Sequence, residues 1–457
     1  MRFVSFFLGL AALPLAAWQQ QQQTARDIFK QLIEINTTDS AGDNTRAAEA
    51  MAARFRAAGY PESDIHVLGP APKKGNVVVR LHGTGAAKPI LFIGHLDVVE
   101  ARRSDWSFDP FEFREEGGYF YGRGAQDMKG DDAILVTTFL RLKAENFRPA
   151  RDMILALTSD EEGGNYNGID WLVKNHRDLI DAEFCINSDG GGGEIRSGKH
   201  VSMQIEAAEK VFLSFRLEVT NPGGHSSLPT RDNAIYHLAG GLARLANFDF
   251  PVHLFDVTRG ELERMAALDS SQTGADMKAV LINPGDTAAV ERLSKVPLYN
   301  ALLRTTCVAT MLSGGHAENA LPQTASATVN CRLLPVDDPA DVEKTLISVL
   351  DDPKISVTQM APPKFSRFTP INAQVMAAVT AATGKQWPGL PVMPIMMTGA
   401  SDGVYLSVAG IPAYGVSGIF TDRDDIRAHG RDERILVKSF HDAIDFMYDV
   451  AARLGRN

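Results

Sequence analysis

The chain has 457 residues, 44% apolar and 22% charged, proportions that exclude wholesale disorder and collagen-like or coiled-coil repeats and allow large buried cores. Its 46 basic residues against 56 acidic ones leave a net charge of -10, which would repel a phosphate backbone, so no nucleic-acid partner is expected. Three cysteines, Cys185, Cys307 and Cys331, are too few for a disulfide framework or a thiolate zinc site and allow at most one bridge.

Met1-Arg2 followed by an apolar stretch from Phe3 to Ala17, with small residues Ala16 and Ala17 near a cleavage point, reads as a secretory signal. The stretch is short for a bilayer span, so export to a periplasm or the exterior is expected, with no stable membrane anchor after cleavage. The glutamine tract Gln19 to Gln23 reads as a mobile linker, closing a first segment of residues 1–23. Helical periodicity follows over Thr24 to Ile35 and Asn44 to Ala58. Short apolar runs over Asn76 to Leu81, Pro89 to Ile93, Asp152 to Leu157 and Ala182 to Ile186 predict strands, with a helix over Asp131 to Ala144 between the middle two. This alternation predicts an α/β fold, a mostly parallel sheet flanked by helices, whose first part covers residues 24–206.

From Ala207 the pattern changes to an α+β unit over residues 207–363. Its strands are expected at Val211 to Thr220, Thr305 to Met311, Ala325 to Leu334 and Ile355 to Met360, and its helices at Asn233 to Asn247 and Ala340 to Leu350. The stretch from Phe250 to Tyr299 is too long for a loop and should carry helices. The parallel-sheet pattern resumes over residues 364–457, with strands at Val392 to Met397 and Ala413 to Val416, a short helix after Asp402 and a last helix from Glu433.

Five runs place acids or histidine after predicted strands or beside glycine turns, where open α/β sheets collect ligands. Gly94-His95-Leu-Asp97 presents an imidazole, with Asp97 on the same side to hold its other nitrogen. In Tyr121-Gly-Arg-Gly-Ala-Gln-Asp127 the third glycine of a dinucleotide loop is replaced by Asp127, which excludes that reading and leaves the carboxylate free to be a ligand. Asp160-Glu161-Glu162-Gly-Gly crowds three carboxylates at the end of a buried strand, an arrangement that a cation explains. Asp189 ends another apolar run before four glycines, and His429 lies in a loop ahead of the last helix. Two imidazoles and several carboxylates suit a borderline cation such as zinc, and two metals sharing one carboxylate would use five ligands.

These motifs, in this order, resemble the dinuclear zinc hydrolase family of aminoacylase, bacterial glutamate carboxypeptidase, succinyl-diaminopimelate desuccinylase and carboxypeptidase S. The resemblance implies a zinc-exopeptidase-like catalytic domain with an inserted lid and dimerisation domain. It also implies two zinc ions, replaceable by cobalt or manganese: His95 and Asp189 on one, Glu162 and His429 on the other, and Asp127 bridging. Glu161 would be the general base and Asp97 would orient His95. Asn221-Pro-Gly-Gly-His225 is similar to the family's lid loop, whose histidine steadies the oxyanion. Asn319 and Arg332 match its pair that holds a substrate carboxylate, a task suited to a guanidinium. The implied activity is hydrolysis of the amide bond of small peptides bearing a free carboxylate, or alternatively of N-acyl amino acids, with the lid able to pair two copies. A non-catalytic binding protein would carry a damaged site, whereas all five ligand positions and Glu161 are intact.

Overall fold

The computed structural model describes residues 12–363, 368 and 371–456. Two compact units make up the chain: Met1–Ala207 with Pro370–Met393 and Ser401–Asn457, and Ala208–Thr369 with Pro394–Ala400.

The first unit is built on a large sheet whose strands run in the order Ile65–Leu68, Asn76–Leu81, Met153–Thr158, Ile90–His95, Phe184–Asn187, Ala413–Gly415, Lys199–Glu209, Gly192–Arg196, Phe420–Asp422. Its middle is parallel, from Met153–Thr158 through Ile90–His95 and Phe184–Asn187 to Ala413–Gly415. Antiparallel pairs flank that middle. The central strands are apolar without alternation because both faces are covered. Ile90, Phe92, Met153 and Leu155 enter one core with Phe29, Phe139 and Phe440, while Leu91, Ile93, Ile154 and Ala156 enter a second with Ile169, Leu172 and Leu406.

Three elements differ from expectation. The glutamine tract is no linker: it lies within a helix, Ala12–Ile33, that continues into the expected one. Glutamine is a good helix former, and nothing between Leu15 and Ile35 breaks the run. Thr24 Oγ1 donates to the Gln20 carbonyl, and Trp18 Nε1 to Asp445 at 3.0 Å, which fastens this segment to the body. The proposed signal lies largely outside the described residues. The glycine run after Asp189 opens a hairpin, Gly192–Arg196 with Lys199–Glu209, that apolar periodicity did not reveal. The last helix is Val437–Arg456, because Arg434–Leu436 instead pairs as a strand with Tyr119–Tyr121. Among the described residues, no helix is long and apolar enough to cross a membrane.

The second unit holds an antiparallel sheet in the order Thr306–Gly314, Thr324–Leu333, Val211–Thr220, Ser356–Gln359. Leu213, Phe215, Leu217 and Val219 alternate onto one face, buried against Leu238 and Leu245 of helix Ala234–Ala246 and Leu346 and Leu350 of helix Pro339–Leu350. Cys307 and Cys331 stand opposite one another on paired strands and form a disulfide, leaving Cys185 free and buried. The long connection folds into helices Asp256–Leu268, Gln272–Ile282, Thr287–Ser294 and Pro297–Leu303, with a core including Leu262, Met277, Val280 and Leu293.

Candidate metal centre

The three adjacent parallel strands end side by side, with His95 opposite Thr158 and Ile93 opposite Asn187. The chain leaving each strand therefore delivers polar residues to one place: His95 from the first, Asp160 to Glu162 from the second, Asp189 from the third. After Asp189, a Cβ on Gly190 would lie 1.9 Å from Glu206 Oε2 and would push that carboxylate aside. Asp127 arrives on the loop ahead of helix Lys129–Ala144, and its peptide bond to Met128 is cis. His429 comes from the loop before the last helix.

These residues form two triads, His95, Asp127, Asp189 and Asp127, Glu162, His429, whose ligand atoms lie within 4.8 Å of one another. The shared carboxylate divides its oxygens: Asp127 Oδ1 faces His95 Nε2 at 3.1 Å, and Oδ2 faces His429 Nε2 at 3.1 Å. His429 Nε2 is also 2.9 Å from Glu162, and His95 Nε2 is 3.8 Å from Asp189. One carboxylate between two imidazoles, each with a second carboxylate, is a donor set that fits two borderline divalent cations.

The electrostatics agree. Burial pushes Asp189 up to about 7, with His95 opposing and Asp127 and Glu162 adding repulsion. Burial also drives Glu161 up to about 10, with His95 opposing and Asp189, Asp402 and Glu162 adding to the rise. At His95 burial works against the charged form, and the hydrogen bond to Asp127 with the nearby Asp189 carboxylate outweighs it. Carboxyls crowded this way ionise together only when a cation compensates them.

Asp97 is used differently from the expected role. His95 Nδ1 meets the Asp97 backbone carbonyl at 3.0 Å, while the nearer carboxylate oxygen is 3.7 Å away. The carboxylate instead accepts from Glu161 N at 3.1 Å and Glu162 N at 2.9 Å. One residue thus ties the imidazole to the turn that bears Glu161 and Glu162.

Residues 91–453 match the model of peptidase family M20/M25/M40. The chain belongs to this family. As an M20 member it is a metallohydrolase acting on peptide or amide bonds. It is 27% identical over 379 residues to a probable carboxypeptidase S-like 2 of Dictyostelium discoideum, covering 79% of this chain and 70% of that one. It is 27% identical over 435 residues to aminoacylase-1A of Rattus norvegicus, covering 94% of each. Its fold is similar to that of an M20 family metallo-carboxypeptidase from Sulfolobus solfataricus, with a TM-score of 0.69 at 20% identity over 94% of this chain and 99% of that one.

Several residues around the M20 centre were not singled out in the sequence. Asp402, buried, accepts from Thr158 Oγ1 at 3.0 Å and Asn167 Nδ2 at 2.6 Å. It too follows an apolar strand, Val392–Met397, the signal that identified the others. Lys74 pairs with Asp160 at 2.6 Å, holding the turn whose Asp160 has a φ of 60°. Glu433, fully buried, accepts from Arg123, Gly124 N, Gln126 N and Asp127 N.

His225 is exposed, its Nδ1 2.7 Å from Ser227 Oγ, on a short strand paired with Ala320–Leu321. Ser226 N donates to the Asn319 carbonyl at 3.0 Å, so the His225 and Asn319 segments are joined. Arg332 lies on the sheet face opposite the buried Cys331, its guanidinium 4.7 Å from the Phe212 ring centre. Burial lowers its pKa, and no ion pair holds it among the described residues.

Proposed function

We propose that this M20 protein is a zinc-dependent exopeptidase that cleaves the amide next to a free α-carboxylate in small peptides. The observation that carries the reading is Asp127, with one oxygen turned to each of two histidines and Glu161 in the adjoining turn. Bound by His95, Asp127 and Asp189 and by Asp127, Glu162 and His429, two zinc ions would lower the pKa of water and polarise the scissile carbonyl.

The chain's own groups do the rest. Glu161 takes a proton from the attacking water as its oxygen adds to the carbonyl carbon, then hands that proton to the amine nitrogen as the C–N bond breaks. Asp97, through two backbone N–H groups, holds Glu161 and Glu162 in register with each other. Oxyanion stabilisation is assigned to His225 and recognition of the substrate carboxylate to Arg332 with Asn319, assignments that rest on the resemblance of their segments to the family's lid and suit the chemistry of an imidazole and a guanidinium.

The second reading, an N-acyl amino acid amidohydrolase, is favoured by the likeness to aminoacylase-1A over nearly the whole chain. The two separate in one experiment: the zinc-reconstituted protein is given dipeptides, their C-terminal amides and N-acyl amino acids. Cleavage of free-acid dipeptides alone supports the exopeptidase, preference for acyl amino acids supports the second reading, and equal cleavage of amides refutes carboxylate recognition.

Export is part of the proposal. The apolar N-terminal stretch supports it, as does the Cys307–Cys331 disulfide, since such bonds persist in oxidising compartments. An uncleaved N-terminus on cytosolic protein would refute it. Pairing of two copies through the second unit is likewise proposed, and sedimentation as a monomer at micromolar concentration would exclude it.

A further inference from the structure

The loops carrying Asp127 and His429 are far apart in sequence yet joined through one side chain that holds no metal in the proposed site. Gln126 Oε1 accepts from Arg427 N at 2.9 Å and from Ala428 N at 2.9 Å, the two residues that precede His429. Two N–H donors on one atom require that atom to be the amide oxygen. The Gln126 backbone is itself fixed, because its N–H donates to the buried Glu433 carboxylate at 2.7 Å. The next N–H along, that of Asp127, donates to the same Glu433 oxygen at 3.0 Å.

His429 needs such a hold. Its side chain is 55% exposed, the most open of the five ligand candidates, so packing does little to place it. Its backbone sits at a φ of 62°, in the left-handed region that a residue with a Cβ keeps only when its surroundings impose it. Arg427 ties to Asp425 and to the Asp432 carbonyl within the loop, Asp432 accepts from Ser107, and Glu433 holds the far end of the loop to the Asp127 segment, but none of these reaches the backbone just ahead of His429. Gln126 supplies the tie nearest to His429, one residue from Asp127 on one side and reaching the two residues before His429 on the other.

We infer that Gln126 is a positioning residue that latches the His429 loop to the Asp127 loop and thereby sets the affinity of the metal held by Glu162 and His429, leaving the one held by His95 and Asp189 untouched. The inference rests on the dinuclear reading proposed above. The chemistry it requires is an acceptor oxygen facing two backbone N–H groups, which glutamate supplies as well as glutamine does, and methionine, of similar length, does not.

The test titrates cobalt(II) into the metal-free full-length protein against a competing chelator, following the visible absorption bands for each binding step. Wild type, Gln126→Met, Gln126→Glu and, as a reference, His429→Ala are compared. Gln126→Met should weaken one step by about 10- to 100-fold, the usual effect of losing a group that orients a ligand. That step should be the one His429→Ala weakens, the other should stay within about threefold, and Gln126→Glu should bind as wild type does. Unchanged binding in Gln126→Met would overturn the latch, as would equal loss of both steps or failure of Gln126→Glu to rescue. A wild type that binds fewer than two cobalt ions would instead bring down the dinuclear reading and the latch with it.

Discussion

Replacing Glu433 by glutamine should destabilise the first unit more than any surface change, because the carboxylate is fully buried and four donors converge on it. Oε2 accepts from Arg123 Nη1 at 2.6 Å and Gly124 N at 3.1 Å, and Oε1 from Gln126 N at 2.7 Å and Asp127 N at 3.0 Å. An amide keeps one acceptor oxygen and turns an NH2 group toward two donors. Whichever way it flips, two N–H groups lose their acceptor, and Arg123, 3% exposed, keeps a charge without its counter-ion. Removing one partner of a buried ion pair costs about 3–5 kcal/mol, most of it the penalty on the charge left behind. In a folded body of this size that corresponds to a fall in Tm of roughly 5–8 °C. The assay is urea and thermal unfolding of wild type, Glu433→Gln, Arg123→Met and the double variant. The double variant should be more stable than the sum of the single losses implies, by about 1–3 kcal/mol, because the orphaned charge is gone. A loss below about 1 kcal/mol in Glu433→Gln would refute the argument that this carboxylate fixes the loop bearing Asp127.

Glu161→Gln should lower kcat by about 100- to 10,000-fold while metal content measured by mass spectrometry stays at the wild-type value, since the general base is removed and no ligand is. Arg332→Ala should raise KM at least about tenfold for free-acid substrates and leave their C-terminal amides unaffected; equal effects on both would remove it as the carboxylate reader. Lys210, 1% exposed with Nζ donating to the Arg304 carbonyl at 2.7 Å, is lowered to about 7 by burial, against an unfolded value near 10.4. Between those values the unfolded chain binds more protons, so this group makes stability rise with pH, and below pH 7 its penalty is fully present. Lys210→Met should flatten that rise in urea midpoints between pH 7 and 10, and an identical rise in both proteins would count against the buried charge.

Most ligand candidates could be picked out because they report on their own surroundings, whereas His429, alone an ordinary loop histidine, entered only through the resemblance to the family. His95, Glu162 and Asp189 follow apolar runs that could only be central strands, and Asp127 interrupts a glycine loop where no nucleotide fingerprint fits. The positions of Val211–Thr220 and of helix Ala234–Ala246 were equally local, carried by periods of 2 and 3.6. Gln19 to Gln23 misled because composition alone suggests a linker, whereas a helix beginning upstream carries the tract along and Trp18 finds Asp445 at the other end of the chain.

What local pattern cannot carry is a hydrogen bond between segments far apart in the chain. Asp97 looks from its spacing like the partner of His95, yet its carboxylate accepts from Glu161 and Glu162, because the ends of two paired strands bring that turn within reach. Glu433 and Gln126 stand in the sequence as ordinary polar residues, and only closure of the chain sets one beneath the Asp127 loop and the other against the His429 loop. The sequence by itself determined which side chains could bind a cation, since strand ends and residue chemistry are local properties. The tertiary structure decided which oxygen faces which nitrogen and what holds each loop, since those are set by the packing of separate segments around a shared core.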